Sequence, residues 1–139
     1  MLFAKWIYRV SGIWSFICIL PLFFLDDFIG DRNPPRLTHP EFYYGFLCVS
    51  FAWGLAFLTI SADPQRFRSI MPASIVEKAG YGVFALLLAA RGLSPSSQAI
   101  FGVIDLTFCV LFFAAFVVAK RTNRHPAESD PSRWGEEQF

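Results

Sequence analysis

A chain of 139 residues that is 55% hydrophobic and 18% aromatic, with 17 Phe, carries more apolar surface than a soluble domain of that size can bury. Its formal net charge of +1 excludes a global attraction to nucleic acid or to acidic substrates, and the charges it has collect between long apolar runs. Cys18, Cys48 and Cys109 are odd in number, form no Cys-x-x-Cys pair and lie inside apolar runs, so they read as small packing residues and not as a disulfide framework or a zinc site.

The first apolar run, residues 6–25, follows a basic start (Lys5, Arg9) and could pass for a secretory signal. It ends in Leu25-Asp26-Asp27-Phe28 without the small residues of a cleavage site, so it reads as a permanent span. The second, residues 42–60, is preceded by Thr38-His39-Pro40-Glu41, which has the form of a capping box with Thr38 and Glu41 satisfying each other's backbone N–H groups. Asp63-Pro64 looks like an N-cap followed by proline, predicting a short interfacial turn before Pro72. The third run, residues 70–90, closes at Arg91-Gly92 with Gly92 as a left-handed cap, and Ser94-Pro95 opens the fourth, residues 99–119.

Each run is long enough at 1.5 Å per residue to cross roughly 30 Å of hydrocarbon. Stretches such as Phe46-Leu47-Cys48-Val49-Ser50-Phe51-Ala52-Trp53 lack the alternation of membrane-barrel strands. The expected architecture is therefore all-α, an integral membrane four-helix bundle over residues 1–121, with a flexible polar tail over 122–139. Trp134 and Phe139 in that tail read as stray exposed aromatics that a partner could hold. No repeat of one helical hairpin by the other is evident.

Positive charge retained in the cytoplasm sets the orientation. Lys5, Arg9, Arg66, Arg68, Lys120, Arg121 and Arg124 fall on one side, Arg32, Arg36 and Arg91 on the other, so both termini are expected in the cytoplasm. Trp6 and Tyr8, and on the opposite side Tyr43 and Tyr44, sit where interfacial aromatics belong. Arg66 and Arg68 are placed to bind anionic lipid headgroups.

Ionisable residues inside spans are the strongest pointers to function, because a charge near the bilayer centre costs at least about 2.5 kcal/mol. Asp105 lies near the midplane of the fourth span, and Glu77 about two turns into the third, followed by Lys78. Asp105 and Glu77 are the candidate ligand-binding residues, Asp105 as a protonatable site or as counter-ion to a cationic ligand. The structural alternative makes Asp105 a hydrogen-bonded packing group, sends Lys78 snorkelling to the headgroups and lets Glu77 accept from the N-terminal amides of its own helix. Counting along antiparallel helices separates Glu77 from Asp105 by around 5 to 10 Å in depth, so they need not meet.

No catalytic residue, metal site or cofactor is assigned. His39 and His125 both fall outside the hydrocarbon, which speaks against axial haem ligation, and loop solvation and capping account for the acidic residues around His39. No nucleophile elbow, Walker loop, dinucleotide fingerprint or zincin pattern occurs. Small residues at Cys48, Ala52 and Ala56, and at Ala85 and Ala89, permit close helix approach, expected mainly within the chain itself. Trp14, Phe51, Trp53, Phe84, Phe112 and Phe113 are expected to face lipid unless they line a cavity.

The run His39-Pro40-Glu41-Phe42-Tyr43-Tyr44-Gly45-Phe46, with Asp63-Pro64-Gln65-Arg66-Phe67-Arg68, Met71-Pro72 and Glu77-Lys78-Ala79-Gly80-Tyr81-Gly82, resembles a group of small, uncharacterised bacterial membrane proteins of four transmembrane helices. The resemblance covers the second and third spans and their connection, and implies a bacterial inner-membrane location without any activity. The functional expectation is a non-catalytic accessory or interaction subunit of a larger inner-membrane complex, in contact with lipids and with a protein partner or further copies of itself. The alternative is a binder or carrier of a hydrophobic or cationic small molecule that uses Asp105 in an intramembrane cavity.

Overall fold

The computed structural model describes residues 1–25, 28 and 39–122. The aspartates and arginines of the first loop, Thr38 of the expected capping box, and the tail with Arg124, His125, Trp134 and Phe139 lie outside the described residues.

Among the described residues four long helices form: α1 (Leu2–Ile19), α2 (Pro40–Ala62), α3 (Met71–Ala90) and α4 (Ser96–Thr122). All four are long and apolar enough to cross a membrane, and no strand occurs among the described residues. The chain is a multi-pass, all-α membrane protein. Large apolar side chains such as Val76, Phe84, Val110 and Phe113 stand more than half exposed on its outer surface, which only lipid can solvate at low cost.

The helix ends differ from the expected ones by identifiable chemistry. Pro21 has no N–H to donate, so α1 stops at Ile19 and the chain continues as a 3-10 turn, Pro21–Phe24, in place of one uninterrupted span. α2 begins at Pro40 with His39 in the capping position, and no side-chain cap forms among the described residues. The Asp63 carboxylate accepts from the backbone N–H groups of Gln65 (3.2 Å) and Arg66 (3.1 Å), making the predicted turn before α3. Gly92 adopts φ +68°, and bonds from Leu93 N–H to Leu88 O (2.9 Å) and from Gly92 N–H to Ala89 O (3.0 Å) close α3 in a Schellman motif.

Helices α1 and α2 pair as one hairpin and α3 and α4 as another, and the hairpins join mainly through α1 against α4. Among the described residues α2 and α3 scarcely touch, which leaves a cleft between them. The tight crossing of the second hairpin depends on glycine: a Cβ on Gly82 would lie 2.7 Å from Leu106 Cγ and 2.9 Å from the Gly102 carbonyl oxygen. The first hairpin crosses in the same way at Gly12 and Gly54, where a Cβ on Gly12 would lie 3.1 Å from the Gly54 carbonyl oxygen.

The packed core occupies the half of the bundle nearest the N-terminus, where Ala4, Tyr8, Phe57, Ile60, Met71, Phe112, Ala115 and Ala119 are all buried. This corrects the reading of Tyr8 as an interfacial aromatic. Its ring stacks on Phe112 (centroids 4.1 Å apart) and its hydroxyl shares a 2.8 Å hydrogen bond with Ser74, so it ties the two hairpins together. Trp6, two residues earlier and on another face of α1, is exposed as expected. Of the other aromatics, Phe112 is core, Phe84 and Phe113 face outward, and Trp14 lines a cavity.

The small-residue stripes also divide. Ala85 packs inside the chain against Gly102, whereas Cys48 and Ala52 face outward, and Ala52 with Val49, Trp53, Ala56 and Ile70 borders a shallow groove on the outer side of α2. The α2 stripe therefore does not pack the chain against itself, contrary to expectation.

Candidate functional site

The inward face of α3 carries Met71, Ser74, Lys78, Gly82 and Ala85, which recur at helical spacing. On α4 the inward stripe includes Gly102, Asp105 and Phe112. Contact between Gly82 and Gly102 sets the antiparallel register, and one turn further toward the core Lys78 comes to face Asp105.

Lys78 does not snorkel. Its ammonium donates to both oxygens of Asp105, at 3.2 Å to Oδ1 and 3.1 Å to Oδ2, and stands 5.3 Å from the centre of the Phe57 ring. Lys78 is 6% and Asp105 9% exposed, so the pair is taken out of solvent by the bundle and not by headgroups. The structural alternative for Asp105 pairs it with a hydroxyl or amide of a neighbouring helix; the partner found is instead the ammonium of Lys78.

Glu77 approaches the same ammonium at 3.6 Å, beyond hydrogen-bond reach, and its Oε2 is buried with no hydrogen-bond partner among the described residues. The two carboxylates that were expected to stand apart in depth therefore flank one lysine. The glycine contact, and not a count from the helix ends, fixes which residues meet.

This triad forms one wall of a cavity of about 230 Å³ in the half of the bundle away from the core. Trp14, Ser15 and Cys18 of α1 line it, with Phe46 and Ser50 of α2, Tyr81 of α3, and Gln98 and Phe101 of α4. All four helices contribute because the close contact at Gly12 and Gly54 draws α1 and α2 together nearer the core, where Tyr8 bolts the hairpins. Across the cleft between α2 and α3, the Phe46 and Tyr81 rings stack with centroids 6.0 Å apart.

With every group ionised the triad carries two negative charges and one positive, an excess of one negative charge in a largely apolar chamber. Such an arrangement can orient a dipole, accept a hydrogen-bond donor or hold a cation. Among the described residues no three His, Cys, Asp or Glu side chains are grouped as metal ligands. Cys18 is a free, partly exposed thiol on the cavity wall, Cys109 is partly buried, and Cys48 faces outward.

Arg66 and Arg68 are not part of this chamber. They lie in the connection between α2 and α3 at the opposite end of the bundle, Arg66 exposed with its guanidinium 5.6 Å from the centre of the Phe67 ring. Sequence reasoning singled out Asp105 and Glu77 but sent Lys78 to the headgroups, although Ser74, Lys78 and Gly82 at four-residue spacing already marked one helix face. Comparison with known proteins finds no match: no family model, no curated protein and no solved structure is significantly similar to the chain.

Proposed function

We propose that this chain is a non-catalytic binding protein of the bacterial inner membrane that holds a small amphipathic molecule in the chamber between its hairpins, with both termini in the cytoplasm. The supporting observation is that Glu77, Lys78 and Asp105 converge on a cavity in mid-span. An ion pair buried in this way adds little stability over apolar side chains of similar volume, so its presence calls for a use other than holding the fold. The aromatic and polar lining of the chamber fits an amphipathic occupant. The orientation rests on the cations Lys5, Arg9, Arg66, Arg68, Lys120 and Arg121 at one end of the bundle. The inner-membrane location rests on the resemblance of residues 39–82 to small bacterial four-span proteins.

The test is a thermal-shift panel of lipids and metabolites on the purified protein. At least one compound should raise the melting temperature of the wild type and fail to raise that of Asp105→Asn. Identical shifts in both proteins across the whole panel would remove the proposal.

A second reading, an accessory or interaction subunit of a larger assembly, draws on the outward groove of α2, where Ala52 and Ala56 leave room for another helix and Cys48 is exposed on the same helix. Oxidative cross-linking through Cys48 in native membranes should then give a discrete adduct, with a second copy or with another protein. A chain that stays monomeric under conditions that oxidise exposed thiols argues against this reading.

A further inference from the structure

We infer that the occupant of the chamber is a small organic cation, a protonated amine on a short apolar or aromatic body, and that Glu77 is the residue that receives its charge. The inference rests on the chamber being a binding site and adds which chemistry it selects.

The charge distribution separates the roles of the two carboxylates. Asp105 takes both of its bonds from Lys78, at 3.1 and 3.2 Å, and is engaged. Glu77 reaches the same ammonium only at 3.6 Å, through its buried Oε2, and that oxygen has no hydrogen-bond partner among the described residues. A chamber with one unneutralised carboxylate gains most from a ligand that brings one positive charge and an N–H donor. A neutral amphipath would leave the excess charge in place, and an anion would add to it.

The walls select the rest of the molecule. Trp14, Phe46, Tyr81 and Phe101 line the chamber with aromatic surface that suits an apolar body and a cation alike. At about 230 Å³ the chamber falls below the usual range of drug-sized sites, so the body is short, on the scale of one aromatic ring with a two-carbon arm. Lys78, held by Asp105, limits the site to a single added charge, since a dication would meet the ammonium.

Cys18 on the chamber wall supplies a direct readout. In the full-length chain with Cys48→Ala and Cys109→Ala, alkylation of Cys18 by N-ethylmaleimide is timed in the presence of phenethylamine, its uncharged isostere 2-phenylethanol, or the anion 3-phenylpropionate. Phenethylamine should slow the reaction at concentrations where the alcohol and the anion do not. Glu77→Gln should weaken its protection by about ten- to a hundredfold, the scale of one charge-assisted hydrogen bond. The comparison of the three probes on the wild-type triad is decisive even where the Gln variant is poorly folded.

Equal protection by all three compounds would overturn the choice of a cation while leaving a chamber that binds amphipaths. Protection by the alcohol alone would overturn it in the same way. Absence of protection by every probe, together with a flat thermal-shift panel, would remove the binding reading itself.

Discussion

Cutting the triad one residue at a time gives a ranking that its geometry dictates. At 3.1 Å and an effective dielectric constant of about 20, the gross attraction between Lys78 and Asp105 is about 5 kcal/mol, before the desolvation of both groups is subtracted. Asp105→Leu leaves the ammonium with Glu77 as a fallback at 3.6 Å, so we predict a loss of about 2 kcal/mol, below the usual 3–5 for an orphaned buried charge. Lys78→Met leaves two carboxylates facing one chamber with no cation between them, and should cost about 4 kcal/mol. The double variant removes the pair together and should fall short of the sum of the single losses by about 2 kcal/mol or more, above the roughly 0.6–1.7 measured for interhelical hydrogen bonds in membranes. Reversible unfolding of the detergent-solubilised chain in mixed anionic micelles, followed by circular dichroism, measures all four proteins. Additivity within about 0.5 kcal/mol, or a Lys78→Met variant no less stable than Asp105→Leu, would refute the triad as described.

Gly82→Ala forces a methyl group to within 2.9 Å of the Gly102 carbonyl oxygen and should destabilise the second hairpin by about 1–3 kcal/mol, while Gly80→Ala, which meets no atom within 4 Å, should not; parallel unfolding curves for the two variants check this. Tyr8→Phe keeps the stack on Phe112 and loses the bond to Ser74, at a cost of about 1 kcal/mol, whereas Tyr8→Ala opens a cavity and should cost about 3–5 kcal/mol in the same assay. Gly92→Ala should shorten the denaturation midpoint modestly, by the equivalent of about 1–2 kcal/mol, because an L side chain at φ +68° is strained; an unchanged midpoint would mean that the cap is not needed.

The fold was legible because lipid imposes length and uniform apolarity on each span, and those are properties of composition. The Schellman cap at Gly92 and the Asp63 turn were legible too, since both are local and need only the residues beside them. The site was half legible. Asp105 and Glu77 stand out as carboxylates in apolar runs, but their meeting through Lys78 depends on a register set by Gly82 against Gly102, a contact 20 residues apart in sequence that no local signal announces. Tyr8 misled for a related reason. A tyrosine near a span end has the composition of an interface anchor, and only the packing of α1 against α3 and α4 shows that its hydroxyl is satisfied by Ser74 inside the core.

Native mass spectrometry of the protein released from mild detergent puts the binding chamber to its most direct test. The wild type should carry a small-molecule adduct that Asp105→Asn and Glu77→Gln lose or bind more weakly at equal collision energy. Spectra showing nothing beyond detergent and lipid, the same in all three proteins, would contradict the account.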